Sequence, residues 1–189
     1  MLRYARWLPL LFAVLLVPAC ASPKKAAEQA IQETERAYAQ IALQARNVAP
    51  DQAQAIEAGL AAARETLAKG DAQTALTAAK DLGERIKTLS QQLPDLQAKL
   101  QDEWKDLTTS VPGAIAALQK KLNDFGRPPQ GMSGRPQFDA ATAAVPSLQQ
   151  QWDAARALFE SGKLAQAVTD AEQVKADAVK LVTGMQAGS

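Results

Sequence analysis

Histidine is absent from this chain of 189 residues, and cysteine occurs once, at position 20. Histidine is the side chain that most often serves as a general base, and zinc sites are built mainly from histidine and cysteine. Catalysis by a serine–histidine or cysteine–histidine pair is therefore excluded. We predict a protein without enzymatic activity, cofactor or metal.

Aromatic residues make up only 5% of the sequence, and basic residues are nearly balanced by acidic ones, with 21 against 20. The chain has no tract of lysine and arginine of the kind that binds phosphate backbones. We therefore expect no nucleic-acid partner.

The first residues combine positive charge with a short apolar run. Two arginines precede an uncharged segment, residues 7–19, which is a signal-peptide pattern. A membrane-spanning helix needs roughly 20 apolar residues, and this segment is shorter and contains two prolines. We predict that residues 1–19 are removed, which changes the charge balance to 19 basic against 20 acidic side chains.

The segment ends in Val17-Pro18-Ala19-Cys20, which resembles the lipobox of bacterial lipoproteins. The resemblance implies that Cys20 becomes the first residue and carries acyl chains that anchor it in a membrane. Two or more acyl chains anchor stably, because each buried methylene contributes about 0.8 kcal/mol. In a host with two membranes, the uncharged Ala21 implies the outer one. The alternative, an ordinary secretory signal, would leave Cys20 as an unpaired thiol in an oxidising compartment.

The remaining chain has the composition and spacing of an all-helical protein. It is rich in Ala, Gln, Leu, Lys and Glu, and its apolar residues recur three and four positions apart. We predict a lipidated tether at 20–25, a first helical region at 26–125, a Pro- and Gly-rich loop at 126–137 and a C-terminal helical region at 138–186. The expected architecture is an antiparallel helical bundle or a short array of helical hairpins.

Prolines and glycines set the predicted helix ends. We predict five helices before the loop, over about 26–46, 51–69, 71–94, 95–109 and 112–125. Gly70 ends the second of them, Asp71 caps the third and Pro94 ends the third. Pro112 is also compatible with a kink in one longer helix. After the loop, Val145-Pro146 is predicted to interrupt the helical pattern.

The segments that begin at Ala63 and Ala155 align without gaps at a spacing of 92 residues, and Gly70 coincides with Gly162. Each segment is predicted as a helix, a glycine turn and a second helix, so we expect two related halves. The small residues around each glycine resemble tetratricopeptide repeats. Convergence is the alternative, since any close antiparallel helix pair needs small residues near its turn.

Aromatic rings are the first candidates for an interaction site. Trp104 and Trp152 fall on predicted apolar faces, as do Phe125, Phe138 and Phe159. Core packing is the first interpretation. The alternative is a groove between helix pairs that these rings line and that holds a partner peptide or an acyl chain.

Charged side chains supply two further candidates. Arg127 and Arg135 lie in the predicted loop, and two guanidinium groups can bind a carboxylate or a phosphate. A disordered loop is the alternative. Asp102 and Asp106 lie four residues apart on one helix face, where carboxylate oxygens can hold a hard cation, although a solvated acidic surface is the favoured interpretation.

The anchor, the helical hairpins and the missing catalytic side chains favour one function. We expect a non-catalytic interaction or scaffold lipoprotein of the cell envelope, bound to the membrane through Cys20 and to other envelope proteins through its helices. The alternative is a carrier or binding module for a lipid or a small apolar ligand.

Overall fold

A computed structural model describes residues 22–125 and 135–187, which form five α-helices and, within those residues, no strand. The helices are α1 (Pro23–Val48), α2 (Pro50–Ala68), α3 (Ala72–Phe125), α4 (Arg135–Glu160) and α5 (Leu164–Ala187). The prediction of an all-helical fold is confirmed. None of the described helices combines the length and the apolar character that a membrane span requires.

Two three-helix units share α3. The N-terminal unit consists of α1, α2 and residues 72–97 of α3, and the C-terminal unit consists of residues 98–125 of α3 with α4 and α5. Because α3 has 54 residues, it is about 80 Å along its path. The units therefore follow one another along a single long helix.

The cores of the two units meet without a break. Leu100 and Phe159 pack against both cores, and Leu164 at the start of α5 lies within the core of the N-terminal unit. On the N-terminal side of this junction, the core is built from aliphatic side chains such as Ile56 and Leu89. Burial of these side chains contributes about 1.5–3 kcal/mol each and holds the helices of the N-terminal unit together.

The first helices begin at residues that suit a helix start. The Ser22 hydroxyl accepts a hydrogen bond from the Lys25 N–H at 3.3 Å. Pro23 and Pro50 follow their cap residues at the start of α1 and α2, where a missing N–H has no helical partner to lose. α1 therefore starts within the predicted tether at 20–25, whereas α2 agrees with its prediction to one residue.

The two glycine turns have the same geometry. Gly70 and Gly162 both have a positive φ, +93° and +82°, which favours glycine because it has no Cβ. Each glycine N–H donates to the carbonyl three residues earlier, and the next N–H donates to the carbonyl five residues earlier. This is the Schellman arrangement at a helix end. The two hairpins, which were predicted to be related, thus have the same two hydrogen bonds at their turns.

α3 passes through Pro94 and Pro112, so the prediction that Pro94 ends a helix is wrong, whereas at Pro112 the alternative of one longer helix agrees with the structure. Both rings are exposed, and their separation of 18 residues, five turns, places them on the same face. The residues directly before them, Leu93 and Val111, are buried. Each interior proline costs about 3 kcal/mol, and the burial of a continuous apolar face on α3 outweighs that cost.

α4 likewise continues through Pro146, which was predicted to interrupt it. Its first residue is Arg135, so the last three residues of the predicted loop at 126–137 are helical. The buried positions of α4 are Ala141, Leu148 and Ala155, which are seven residues apart. This spacing brings one narrow face of α4 to the core and leaves Pro146 on the exposed side.

Candidate functional site

The predicted site residues do not come together in one place. Cys20 and Arg127 lie outside the described residues. Trp104 and Trp152 meet at the junction of the two units, whereas Arg135 stands at the first position of α4, 17 residues before Trp152, or about 25 Å along the helix. The tryptophans and this arginine therefore cannot act on one small ligand.

The aromatic residues of the junction form a stack. The Trp104 ring lies 4.5 Å from the Phe159 ring and 5.3 Å from the Trp152 ring, with interplanar angles of 6° and 23°. Trp104 is buried, and its two neighbours are half-buried. Stacked rings of this kind contribute about 0.5–1.5 kcal/mol per pair beyond their area. The rings fill the core, as the first interpretation of the sequence predicted.

Phe125 and Phe138 form a second aromatic contact, at the end of the C-terminal unit where α3 stops and α4 starts. Their ring centroids are 6.3 Å apart in an edge-to-face arrangement, and Lys121 Nζ lies 5.4 Å from the Phe125 ring. Arg135 Nε lies 3.8 Å from the Asp139 carboxylate, and both side chains are exposed. This ion pair is solvated and contributes little to stability.

A cavity with a mostly apolar lining lies between α4 and α5 and has a volume of about 520 Å³. We call it the α4–α5 groove. Small or aliphatic residues line it, namely Ala140, Ala144, Leu148, Leu181 and Gly184. Polar residues border it, namely Gln137, Ser147, Gln151, Asp177 and Lys180. The junction tryptophans do not line this groove, so the rings and the groove are separate features.

A second groove, of about 620 Å³, lies on the other side of α4 against α3. Phe138, Thr142 and Val145 of α4 face Gln119 and Leu122 of α3 across it. The two grooves flank the first half of α4, where the only buried side chain before Leu148 is the small Ala141. So small a side chain cannot fill the space between three helices, and the grooves result.

Side chains of the N-terminal unit form a polar contact that joins α1 to α2. Glu57 Oε1 accepts hydrogen bonds from the Tyr38 hydroxyl at 2.7 Å and from Arg46 Nε at 2.8 Å. Burial, followed by the contact with the Glu57 carboxylate, raises the pKa of Tyr38 to about 12. The hydrogen bonds from Tyr38 and Arg46 lower the pKa of Glu57. Tyr38 thus stays protonated at neutral pH and ties the helices together.

Buried Thr34 ties α1 to α3. Its hydroxyl lies 2.7 Å from the carbonyl oxygen of Ala30 in the preceding turn and 3.0 Å from that of Ala79 on α3. No role was predicted from the sequence for Thr34 or for Tyr38. A polar residue at a position of helical apolar spacing was the signal that marked Thr34.

The acidic face of α3 is an ordinary charged surface. Lys105 Nζ lies 2.7 Å from Asp102 Oδ1, and this contact raises the pKa of the lysine. Lys99 lies 3.7 Å from Glu103. No cluster of three or more carboxylate, histidine or cysteine side chains suited to a metal ion occurs within the described part of the chain.

The chain was compared with protein families, curated proteins and solved structures. No family model, no curated protein and no solved structure matches it.

Proposed function

We propose that the protein is a lipid-anchored protein of the cell envelope, in which the helical body is a non-catalytic interaction module. It binds the membrane through acylated Cys20 and holds the grooves of its C-terminal unit away from the membrane, where they contact other envelope proteins. In a host with two membranes, the anchor lies in the outer membrane and the body faces the periplasm.

The course of α3 is the observation that carries this proposal. α1 begins at Pro23, three residues after Cys20, so only a short tether separates the acyl chains from the first helix. Ala27 and Ile31 of α1 pack with Ala63 and Ala75, next to the Gly70 turn. The start of α3 therefore lies at the anchored end of the molecule, and its last residue lies about 80 Å along the helix from that end.

In this proposal the molecule is an arm that projects from the membrane, and the C-terminal unit supplies the surface at its far end. Both large grooves lie along the first half of α4, and one of them reaches Asn123 near the end of α3. Grooves between helices are common sites for small ligands and for amphipathic peptides. The polar contacts that cross between helices are instead found in the N-terminal unit, which forms the base of the arm.

The test compares the two ends of α3 by photocrosslinking in the native host. A photoreactive amino acid replaces Asn123 at the far end or Gln73 at the anchored end; both positions are exposed. We expect a defined protein adduct from position 123 and none from position 73. The absence of a specific adduct at position 123, or equal adducts at both positions, would contradict the proposed arm.

The anchor is tested separately. The variant Cys20→Ala should leave the membrane fraction and lose incorporation of labelled palmitate, because it lacks the thiol that carries the diacylglycerol. A variant that stays in the membrane fraction would contradict anchoring through Cys20. Ser22→Ala, two residues away, is the matched control and should remain membrane-bound.

A second candidate function is the binding of a lipid or a small apolar ligand. The α4–α5 groove favours it, because its volume of about 520 Å³ falls within the range of roughly 300–1,000 Å³ typical of small-molecule sites. The groove also has the required combination of an apolar lining and a few polar groups at its border.

A further inference from the structure

The α4–α5 groove is lined by side chains that leave room between two helix backbones. Ala140 and Ala144 of α4 and Gly184 of α5 carry at most a methyl group, and Leu148 and Leu181 add aliphatic surface. A Cβ added at Gly184 would meet no atom within 4 Å. Removal of such an apolar surface from contact with water is favourable, so the groove favours an apolar ligand.

The groove is elongated. Its lining residues on α4 extend from Gln137 to Gln151, a rise of about 21 Å along the helix. On α5 they extend from Asp177 to Gly184. An apolar groove that extends this far along a helix suits an alkyl chain better than a compact ring system.

One positive charge stands at the border of the groove without a partner. No acidic side chain within the described part of the chain lies within ion-pair distance of Lys180 Nζ. The other charged residue of the border, Asp177, accepts a hydrogen bond from Gln173 Nε2 at 3.0 Å. Lys180 is thus the group available to pair with an anion.

We infer that the α4–α5 groove binds a single-chain amphiphile with an anionic head group, such as a long-chain fatty acid. The alkyl chain lies against Ala140, Ala144 and Leu181, and the carboxylate pairs with Lys180 Nζ. This inference deepens the second candidate function by naming its site and its ligand class. It is independent of the crosslinking result, which tests the protein-interaction function.

The test uses residues 20–189 with Cys20→Ser, which keeps every described residue and removes the bound acyl chains. Sodium palmitate, kept below its micelle concentration, is titrated calorimetrically into the protein. We expect saturable binding of one palmitate per chain. Gly184→Phe fills the groove and should weaken binding at least tenfold, whereas Gly113→Phe, at an exposed glycine of α3 with equally open surroundings, should leave binding unchanged.

The head group is tested by charge reversal. Lys180→Glu should weaken palmitate binding about tenfold and should change binding of the uncharged palmityl alcohol less than twofold. Lys175→Glu is the matched control, because this exposed lysine lies on α5 about 140° around the helix from Lys180 and does not line the groove. It should change neither affinity. Circular dichroism and urea unfolding verify that each variant folds.

Three results would overturn the inference. One is the lack of saturable palmitate binding by a folded protein. Another is an equal loss of binding in Gly184→Phe and Gly113→Phe, and the third is an equal effect of Lys180→Glu on the acid and the alcohol. If palmitate fails to bind but Gly184→Phe abolishes the protein adduct at position 123, the groove holds a partner protein and only the interaction function survives.

Discussion

The N-terminal unit is tied together by side-chain hydrogen bonds that pass from one helix to another, whereas the C-terminal unit relies on apolar contacts. In the first unit, Thr34 contacts α3, Tyr38 contacts Glu57 on α2, and Gln44 contacts Gln97 on α3. In the second unit, every side-chain hydrogen bond within the described residues joins positions three or four apart in the chain, within one helix or at its end.

The two units also differ in their grooves. Those along α4 measure about 520 and 620 Å³, whereas a groove between α1 and α2 measures about 400 Å³ and has charged residues in its lining. Directional hydrogen bonds fix the register of helices, because a shift of one helix breaks a bond to a buried group. Apolar contacts and ring stacking have no comparable directional requirement. The C-terminal unit has one well-filled region, around Trp104, and open grooves along α4. We interpret the N-terminal unit as the fixed base and the C-terminal unit as the binding region.

Among the variants that test this comparison, Trp104→Ala should have the largest effect on the free energy of unfolding. The variant loses two stacked contacts and a buried indole, which costs about 3–5 kcal/mol of the free energy of unfolding. Urea unfolding measures the loss. Trp152→Ala, at a half-buried ring, should cost less.

Hydrogen exchange on the Trp104→Ala variant locates the loss. If the units differ as we describe, amide protection falls in α4 and α5 and is retained in α1 and α2. Equal loss of protection in all five helices would show that the molecule unfolds as one unit, and the distinction between base and binding region would fail.

Tyr38→Phe tests the polar contacts of the N-terminal unit and should cost about 1–2 kcal/mol of the free energy of unfolding, because the phenol donates to a carboxylate. The pKa of Tyr38 is raised from 10.0 to about 12 in the folded protein. Its contribution is thus complete below pH 10 and is lost as pH rises from 10 to about 12. Tyr38→Phe should lack that loss.

The phenol can be observed directly. The only other tyrosine, Tyr4, belongs to the predicted signal peptide, so the change of ultraviolet absorbance that accompanies phenol ionisation reports Tyr38 alone in the mature chain. We expect the folded protein to titrate near pH 12 and the urea-unfolded protein near 10. A folded-state transition near pH 10 would argue against a buried contact between Tyr38 and Glu57.

Substitutions at the helix caps of the two hairpins should have the smallest effect on stability. Asp71 Oδ1 accepts the Thr74 N–H at 3.0 Å, whereas the equivalent position in the second hairpin is Lys163, which cannot accept. Asp71→Ala should lower Tm by about 2–4 °C, and Lys163→Asp should raise it by a similar or smaller amount. Scanning calorimetry at neutral pH measures both changes.

Measurement at acidic pH provides the control for the helix cap formed by Asp71. The hydrogen bond from Thr74 lowers the pKa of Asp71 below its ordinary value of 3.8. A lowered folded-state pKa means that the contribution is present above pH 3.8 and is lost as pH falls further. The difference in Tm between wild type and Asp71→Ala should therefore shrink in acid. A difference that persists unchanged would show that the aspartate acts by some other contact.

Local signals in the sequence predicted the helices of the N-terminal unit and both hairpin turns. α2 agrees with its prediction to one residue, and Gly70, Gly162 and Asp71 have the predicted roles. These features depend on a few neighbouring residues, such as a glycine that adopts positive φ or a carboxylate that accepts an N–H. The same rules failed at Pro94 and Pro146, because each helix gains more from its buried face than the proline costs.

The candidate site was predicted only in part. The helical spacing of apolar residues correctly placed Trp104 on a buried face, but it could not pair that ring with Phe159, which is 55 positions away in the chain. It also missed the α4–α5 groove, although Ala140, Ala144 and Gly184 were visible as small residues. Small residues at helical spacing indicate a close helix contact as often as a gap, and only the positions of the neighbouring helices distinguish the two.

The sequence by itself therefore determined the helical class, the two related hairpins and the turn geometry, because helix propensity, glycine φ and capping act over a few residues. The anchoring hypothesis likewise depends on a few neighbouring residues around Cys20. Only the tertiary structure decided that α3 runs unbroken through two units, that the rings stack and that grooves flank α4. These features depend on burial shared between distant segments, which no local stretch of sequence encodes.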